Sequence, residues 1–151
     1  MAEDNNKPEN FRENWPFYWI SQINASYTNA LEVKLRPIGV DIPRWRAMMC
    51  LYESEYLSIS DIAKFSAQRL NTTTKVIQRM TSDGLVSTRI SPKDGRVTEV
   101  CLTPMGEELR SKAFEEAQVI FENVFAGIGK RRIEELNRTL ARLHDKLEGL
   151  Q

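Results

Sequence analysis

Residues 62–103 read IAKFSAQRLNTTTKVIQRMTSDGLVSTRISPKDGRVTEVCLT, and one change of period inside this stretch decides the architecture. Over 71–82 the apolar residues Val76, Ile77 and Met80 recur at helical steps, with Leu70 just before them and Asp83-Gly84 as the stop. Beyond Gly84 the spacing becomes that of extended chain: 85–90 and 96–102 are β-branched runs in which apolar and polar residues alternate. Between them lies Asp94-Gly95, which predicts a tight hairpin, since a type I′ turn needs positive φ at both central positions. Lys93 and Arg96 give that hairpin a basic tip.

Immediately upstream, Ser58 precedes the short apolar-periodic segment 59–65. Its hydroxyl can accept a backbone N–H at a helix start, and Asp61 stands where the acid of a capping box would. A turn near Ser66 and Ala67 then gives the order helix, tight turn, helix, hairpin. Working outward, 17–35 repeats Ile20, Ile23, Tyr27, Ala30 or Leu31, and Leu35 on one face until Pro37 and Gly39 end it. Pro43 can open a short second helix containing Trp45, Met48, Met49, Leu51 and Tyr52. Downstream, Thr103 caps a long helix through about residue 125, with apolar Leu109, Ala113, Ala117, Ile120, Val124 and Phe125, and Gly127 and Gly129 break it. A last amphipathic segment, 131–147, repeats Ile133, Leu136, Leu140, Leu143 and Leu147. Residues 1–14 are polar and of mixed charge, and are expected to form a loosely ordered arm. The expected fold is mainly α with a small β-hairpin wing, an α+β class.

A chain of 151 residues with 41% hydrophobic content suits one domain of ordinary size. No apolar run is long enough for a bilayer span, and the start MAEDNNKPENFREN lacks the apolar middle of a signal peptide, so no membrane association and a cytoplasmic location are expected. Cys50 and Cys101 match neither a metal-ligand spacing nor a CxxC pair, and read as reduced, partly buried thiols. His144 is the single histidine and sits in an amphipathic helix pattern. No catalytic pair has motif spacing, so no enzyme, metal or cofactor is expected.

Twenty-one basic and 21 acidic residues cancel over the whole chain, but the average is misleading. From 64 to 100 there are seven basic residues, Lys64, Arg69, Lys75, Arg79, Arg89, Lys93 and Arg96, against Asp83, Asp94 and Glu99. Local positive charge of this kind is the footprint of an anionic partner, because neutralising phosphates releases counterions from a duplex. The helix over 71–82 and the residues before it carry Gln68, Arg69, Asn71, Thr72, Thr73, Thr74, Lys75 and Gln78, types that address base edges and phosphates. Helix-turn-helix geometry sets one helix in the major groove while another crosses the backbone.

The quoted run, followed by the helix start PMGEEL, resembles the winged-helix core of the MarR family of transcription regulators. Its most specific piece is the wing, where Asp94 and Arg96, then a strand ending in Leu102-Thr103, match the family's Asp-x-Arg and Leu-Thr pattern. The resemblance implies one domain over 1–151, with 43–102 as the DNA-binding module and 15–42 and 103–151 as helices that interlock two chains. It also implies that Arg96 enters the minor groove while Asp94 holds it. The expected partner is double-stranded DNA with a pseudo-palindromic operator, bound by a homodimer with half-sites about 10 to 10.5 bp apart. The DNA contacts are expected from Gln68, Arg69, Asn71, Thr72, Thr74, Lys75, Lys93, Asp94 and Arg96.

Trp15, Tyr18, Trp19, Trp45, Arg46 and Met49 gather near the starts of the first two helices, where the resembled family binds small anionic aromatics. Aromatic walls and one Arg would suit an indole- or phenyl-acetic type of acid as a releasing effector. Two other readings stay open: a thiol-based redox regulator acting through Cys50 or Cys101, and a protein-interaction dimer without DNA binding.

Overall fold

The computed structural model describes residues 8–151. Its elements are α1 (Pro16–Leu35), a 3-10 turn (Arg36–Ile38), α2 (Ile42–Glu53), β1 (Leu57–Ser58), α3 (Ile59–Phe65), α4 (Leu70–Ser82), β2 (Val86–Ile90), β3 (Thr98–Leu102), α5 (Pro104–Val124) and α6 (Lys130–Glu148). The mainly helical chain with a small antiparallel sheet is the class its periodicity predicts. Two compact units are present, one ending at Gln118 and the other Val119–Gln151.

In the first unit the largest fully buried side chains are Leu35, Met48, Ile62, Met80, Thr73 and Val100, so α1, α2, α3, α4 and β3 each contribute to one core. Caps fix where the helices begin. Asp41 Oδ1 accepts the Arg44 N–H at 3.0 Å, and Ser58 Oγ accepts the Asp61 N–H at 3.0 Å, each satisfying a donor that the first helical turn leaves open. Between α3 and α4 the Gln68 N–H donates to the Ala63 carbonyl at 2.9 Å, and Ala67 adopts φ +53°. A left-handed alanine costs about 1 kcal/mol, and the surrounding hydrogen bonds over-determine it.

The sheet has the order β1-β3-β2, antiparallel throughout. β1 pairs Leu57 with Val100 and Ser58 with Glu99, an edge strand that two residues are too few to announce by pattern. The β2–β3 connection differs from the tight turn predicted at Asp94-Gly95. Neither residue has positive φ, and a loop over 91–97 links the strands. The Ser91 N–H donates to the Val97 carbonyl at 2.8 Å, and the Val97 N–H to the Asp94 carbonyl at 3.0 Å. The Asp94 side chain makes its own turn by accepting the Arg96 N–H at 3.0 Å, a local competitor that displaces the type I′ geometry.

The expectation of a loose arm also changes. Residues 1–7 lie outside the described residues, while 9–14 form turns in which the Asn14 N–H reaches the Asn10 carbonyl at 3.2 Å and Phe11 stacks on Trp15 at 5.3 Å. Two aromatic rings give this short polar segment something to fold against.

Thr103 joins α5 to the α4–β2 corner. Its N–H donates to the Leu85 carbonyl at 3.0 Å, its Oγ1 donates to the Gly84 carbonyl at 2.6 Å, and the same oxygen accepts the Gly106 N–H at 3.1 Å. A Cβ at Gly106 would run into the Leu85 carbonyl.

In the second unit Phe121 and Phe125 pack at 4.9 Å and Gly127 turns the chain at φ +80° before α6. Exposed i,i+4 ion pairs Lys130–Glu134 (3.8 Å) and Arg131–Glu135 (3.2 Å) support that helix by a few tenths of a kcal/mol each. Leu136, Leu140 and Leu147 are exposed. Among the described residues no helix is long and apolar enough to cross a membrane.

Gly106→Ala is expected to destabilise the chain by about 3 kcal/mol in urea unfolding, because backbone rather than a flexible side chain must give way. Gly95→Ala, with nothing within 4 Å of the added carbon, is the control and should stay within about 0.5 kcal/mol of the parent.

Candidate nucleic-acid interface

α4 turns Thr73, Val76, Ile77 and Met80 into the core. At about 100° per residue, the opposite side is made by Asn71, Lys75, Gln78 and Ser82. Leu70, Asn71, Thr74, Lys75 and Gln78 line a shallow groove of about 560 Å³ along this side. Thr74 Oγ1 donates to the Leu70 carbonyl at 2.9 Å, and Asn71 Oδ1 accepts the Thr72 N–H at 3.0 Å. Of the sequence-predicted readers, Asn71, Thr74 and Lys75 therefore share one face. Thr72 lies on its flank toward α2, Arg69 is the exposed N-cap residue of α4, and Gln68 is half-buried in the turn. Thr73 is not a reader: it is 2% exposed, with Oγ1 bonded to the Arg69 carbonyl at 3.0 Å, because a step of two residues from Asn71 carries it round to the core side.

The wing loop presents Arg96 with 92% of its side chain exposed and Asp94 with 40%. The guanidinium is held in a fork: Nε to Asp94 Oδ1 at 3.2 Å and Nη2 to Asp94 Oδ2 at 3.3 Å. Lys93 is exposed beside them, its N–H bonded to Ser91 Oγ at 3.2 Å. Hydrogen bonds from the Arg96 side chain, then from its backbone, hold the Asp94 carboxyl below the usual aspartate range. Arg89, counted in the basic segment, belongs elsewhere: its guanidinium lies 3.4 Å over the Tyr56 ring and pairs with Glu99 at 3.2 Å.

The six residues expected to take an effector form two groups. Trp15, Tyr18 and Trp19 stand at the start of α1, with Trp15 edge-on to Phe17, Tyr18 edge-on to Trp19 at 5.1 Å, and the Trp19 indole N–H on the Glu13 carbonyl at 2.9 Å. Trp45, Arg46 and Met49 lie on α2, where Trp45 is 6% exposed core and the other two are half-buried. No ring contact links the two groups among the described residues. Burial pushes the Cys50 thiol pKa up, which lowers its thiolate fraction and reactivity. Cys101 Sγ is 3.1 Å from Ser87 Oγ, and both cysteines are free. Among the described residues no group of His, Cys, Asp and Glu gathers that could hold a metal ion.

The MarR family model matches residues 40–98, from the last turn before α2 to the start of β3. The HTH-type transcriptional repressor IacR of Pseudomonas putida is 38% identical over 139 residues, 92% of this chain and 83% of the relative. The chain belongs to the MarR family. Solved structures agree in fold: Bordetella bronchiseptica BpsR, studied for regulation of its DNA binding by 6-hydroxynicotinic acid, has a TM-score of 0.77 at 20% identity, covering 92% of this chain and 99% of that one. A mutant of E. coli MarR complexed with operator DNA has a TM-score of 0.73 at 18% identity, with 90% and 99% covered. The chain is thus a MarR-type transcription regulator with a winged helix-turn-helix.

The sequence reading left out Arg44 and counted Arg79 only in the charge balance of its segment, and Asp83 there and as a helix stop. Arg44 on α2, and Arg79 and Asp83 at the end of α4, meet beside Lys75, and Arg44 Nη2 pairs with Asp83 Oδ2 at 2.7 Å. A contact across 39 residues leaves no local pattern, although Lys75 and Arg79 at i,i+4 already mark a basic flank.

Because the Asp94 pKa is lowered, the carboxylate that grips Arg96 is fully present above the ordinary aspartate value, about 3.9, and is lost only as pH falls through the lowered one. NMR titration of the Asp94 carboxyl carbon is expected to give a midpoint below that of a free aspartate. Arg96→Gln should move the midpoint back up, and an unchanged midpoint would contradict the guanidinium fork.

Proposed function

We propose that this chain is a DNA-binding repressor that reads a pseudo-palindromic operator as a homodimer, with α4 in the major groove and the wing in the minor groove. The observation that carries the reading is the pairing of a polar outer face on α4 with a wing that displays a pre-gripped Arg96. Asn71, Thr74, Lys75 and Gln78 supply donors and acceptors for base edges, with Gln68, Arg69 and Thr72 at the margins, and Lys93 adds charge at the wing. Narrow A·T-rich minor grooves concentrate negative potential and favour an inserted Arg. IacR, named a transcriptional repressor, supports the repressor sense.

Dimerisation is supported by apolar surface left in water. Trp19, Ile20, Ile23 and Tyr27 on α1, and Leu136, Leu140 and Leu147 on α6, are all exposed in the single chain. Full burial of a leucine side chain contributes about 1.5 to 3 kcal/mol, so these residues favour a partner surface.

The releasing effector is a small aromatic acid. Rings at Trp15, Tyr18 and Trp19, the Met49 side chain and the Arg46 guanidinium are the chemistry such an acid needs, with Trp45 as packing behind them. BpsR, whose DNA binding is regulated by an aromatic acid, supports the class. Release requires that the acid bind the DNA-free arrangement more tightly, since equal affinity for both shifts nothing.

Mobility shift of the purified chain on its own upstream DNA, over a salt series, is expected to give specific binding that weakens steeply with salt. Arg96→Ala should weaken it across sequences, whereas Asn71→Ala should lose about 1 to 3 kcal/mol of discrimination at particular bases. One of a panel of indole- and phenyl-acetic acids should abolish the shift. Absence of binding at every salt concentration would leave the chain as an interaction module.

A further inference from the structure

Taking α4 as the major-groove helix, as proposed above, we infer that the cleft between the start of α2 and the flank of α4 seats one phosphodiester of the DNA backbone, gripped by Lys75 and Arg79 over Arg44. Asp41, Pro43 and Arg44 from α2 and Thr72, Lys75, Val76 and Arg79 from α4 line a cavity of about 160 Å³. A second hollow of about 310 Å³ adjoins it and shares Arg44, Lys75 and Arg79. Both hollows present Arg44, Lys75 and Arg79 to one opening, which suits an anionic group.

The arrangement of charge singles out the two α4 cations. Asp41 keeps its charge at the N-cap, one oxygen accepting the Arg44 N–H at 3.0 Å, while Asp83 neutralises the Arg44 guanidinium at 2.7 Å, so Lys75 and Arg79 leave the cleft with a net positive charge. Asp83 stands four residues beyond Arg79, the spacing of a helical ion pair, yet it turns to Arg44 across the cleft. Lys75 and Arg79 are exposed and carry no ion pair among the described residues. They are themselves an i,i+4 like-charge pair, an arrangement that destabilises a helix. An anion between them removes that repulsion. Asp83 acts as a positioning residue: it fixes Arg44, three-quarters shielded from solvent, as the floor of the seat.

Geometry then names the anion. Thr72 and Arg79 lie roughly a quarter turn round α4 from Asn71 and Gln78, on the side facing α2. When the outer face of a helix meets base edges, its flank meets the groove's phosphate wall, and such contacts set register without reading sequence.

The test is the salt dependence of binding to specific and random duplexes by the full chain, with Arg79→Gln, Arg79→Lys and Arg44→Gln beside Asn71→Ala, each checked for parental thermal unfolding. Loss of one phosphate contact lowers the log–log slope by about 0.9, so the parent's affinity loss from 50 to 200 mM salt should shrink by about 3.5-fold in Arg79→Gln. Specific and random DNA should weaken by the same factor, and Arg79→Lys should restore the slope. Arg44→Gln should flatten the slope in the same sense. An unchanged slope in Arg79→Gln, while Asn71→Ala alters base preference, would overturn the seat and leave the DNA-binding reading standing. Loss of aromatic-acid release with DNA affinity intact would also overturn it, by making the cleft a carboxylate site. A parent that binds no duplex removes both readings.

Discussion

The hydrogen bonds of Thr103 at the α4–β2 corner set the relative placement of α4 and the wing. One side chain ties the Gly84 carbonyl to the Gly106 N–H, and its own N–H takes the Leu85 carbonyl, so the end of α4, the start of β2, the end of β3 and the start of α5 share a single joint. The joint closes only because α5 carries no side chain at Gly106, where its backbone approaches Leu85. The polar face of α4 and the wing are thereby carried on one corner, and their relative placement depends on backbone contacts more than on the surface residues themselves.

A chain of zero net charge can address a polyanion only if its charges are sorted, and this one sorts them residue by residue. Arg89 is neutralised by Glu99 and laid over Tyr56, where it braces the outer face of the sheet. Arg44 is neutralised by Asp83 within the cleft. Lys75, Arg79 and Lys93 carry no such partner among the described residues, and Arg96 shares its charge with Asp94 while keeping most of its surface in water. Counting basic residues along a segment therefore overstates what is offered to a ligand, and the three-dimensional pairing decides which cations remain.

Much of this was legible from local pattern. The shift from helical to alternating period at Gly84, the Ser58 and Thr103 caps and the Asp-x-Arg pair each depend on residues within a few positions of one another, and the structure reproduces them. What was missed depends on the chain folding back. β1 exists because two residues find Val100 and Glu99, some 40 positions away, and the Arg44–Asp83 pair spans 39. The wing turn was misread for a different reason: an Asp-Gly pair signals a type I′ turn only while the aspartate side chain stays out of the backbone's hydrogen bonding, and Asp94 does not. Composition placed Trp45 beside Trp15 and Trp19 as pocket wall, whereas its depth in the core depends on packing that aromatic content alone cannot reveal.

The fork between Asp94 and Arg96 also bears on disorder. A free arginine side chain gives up about 2 kcal/mol of rotamer entropy when it is immobilised, and a solvent-exposed loop is where that loss would fall most heavily on association. Here two contacts to the carboxylate, with Asp94 itself fixed by the Arg96 N–H, narrow the guanidinium's rotamers before any groove is met. The wing thus carries part of its ordering in the free chain, at a tip almost wholly surrounded by water.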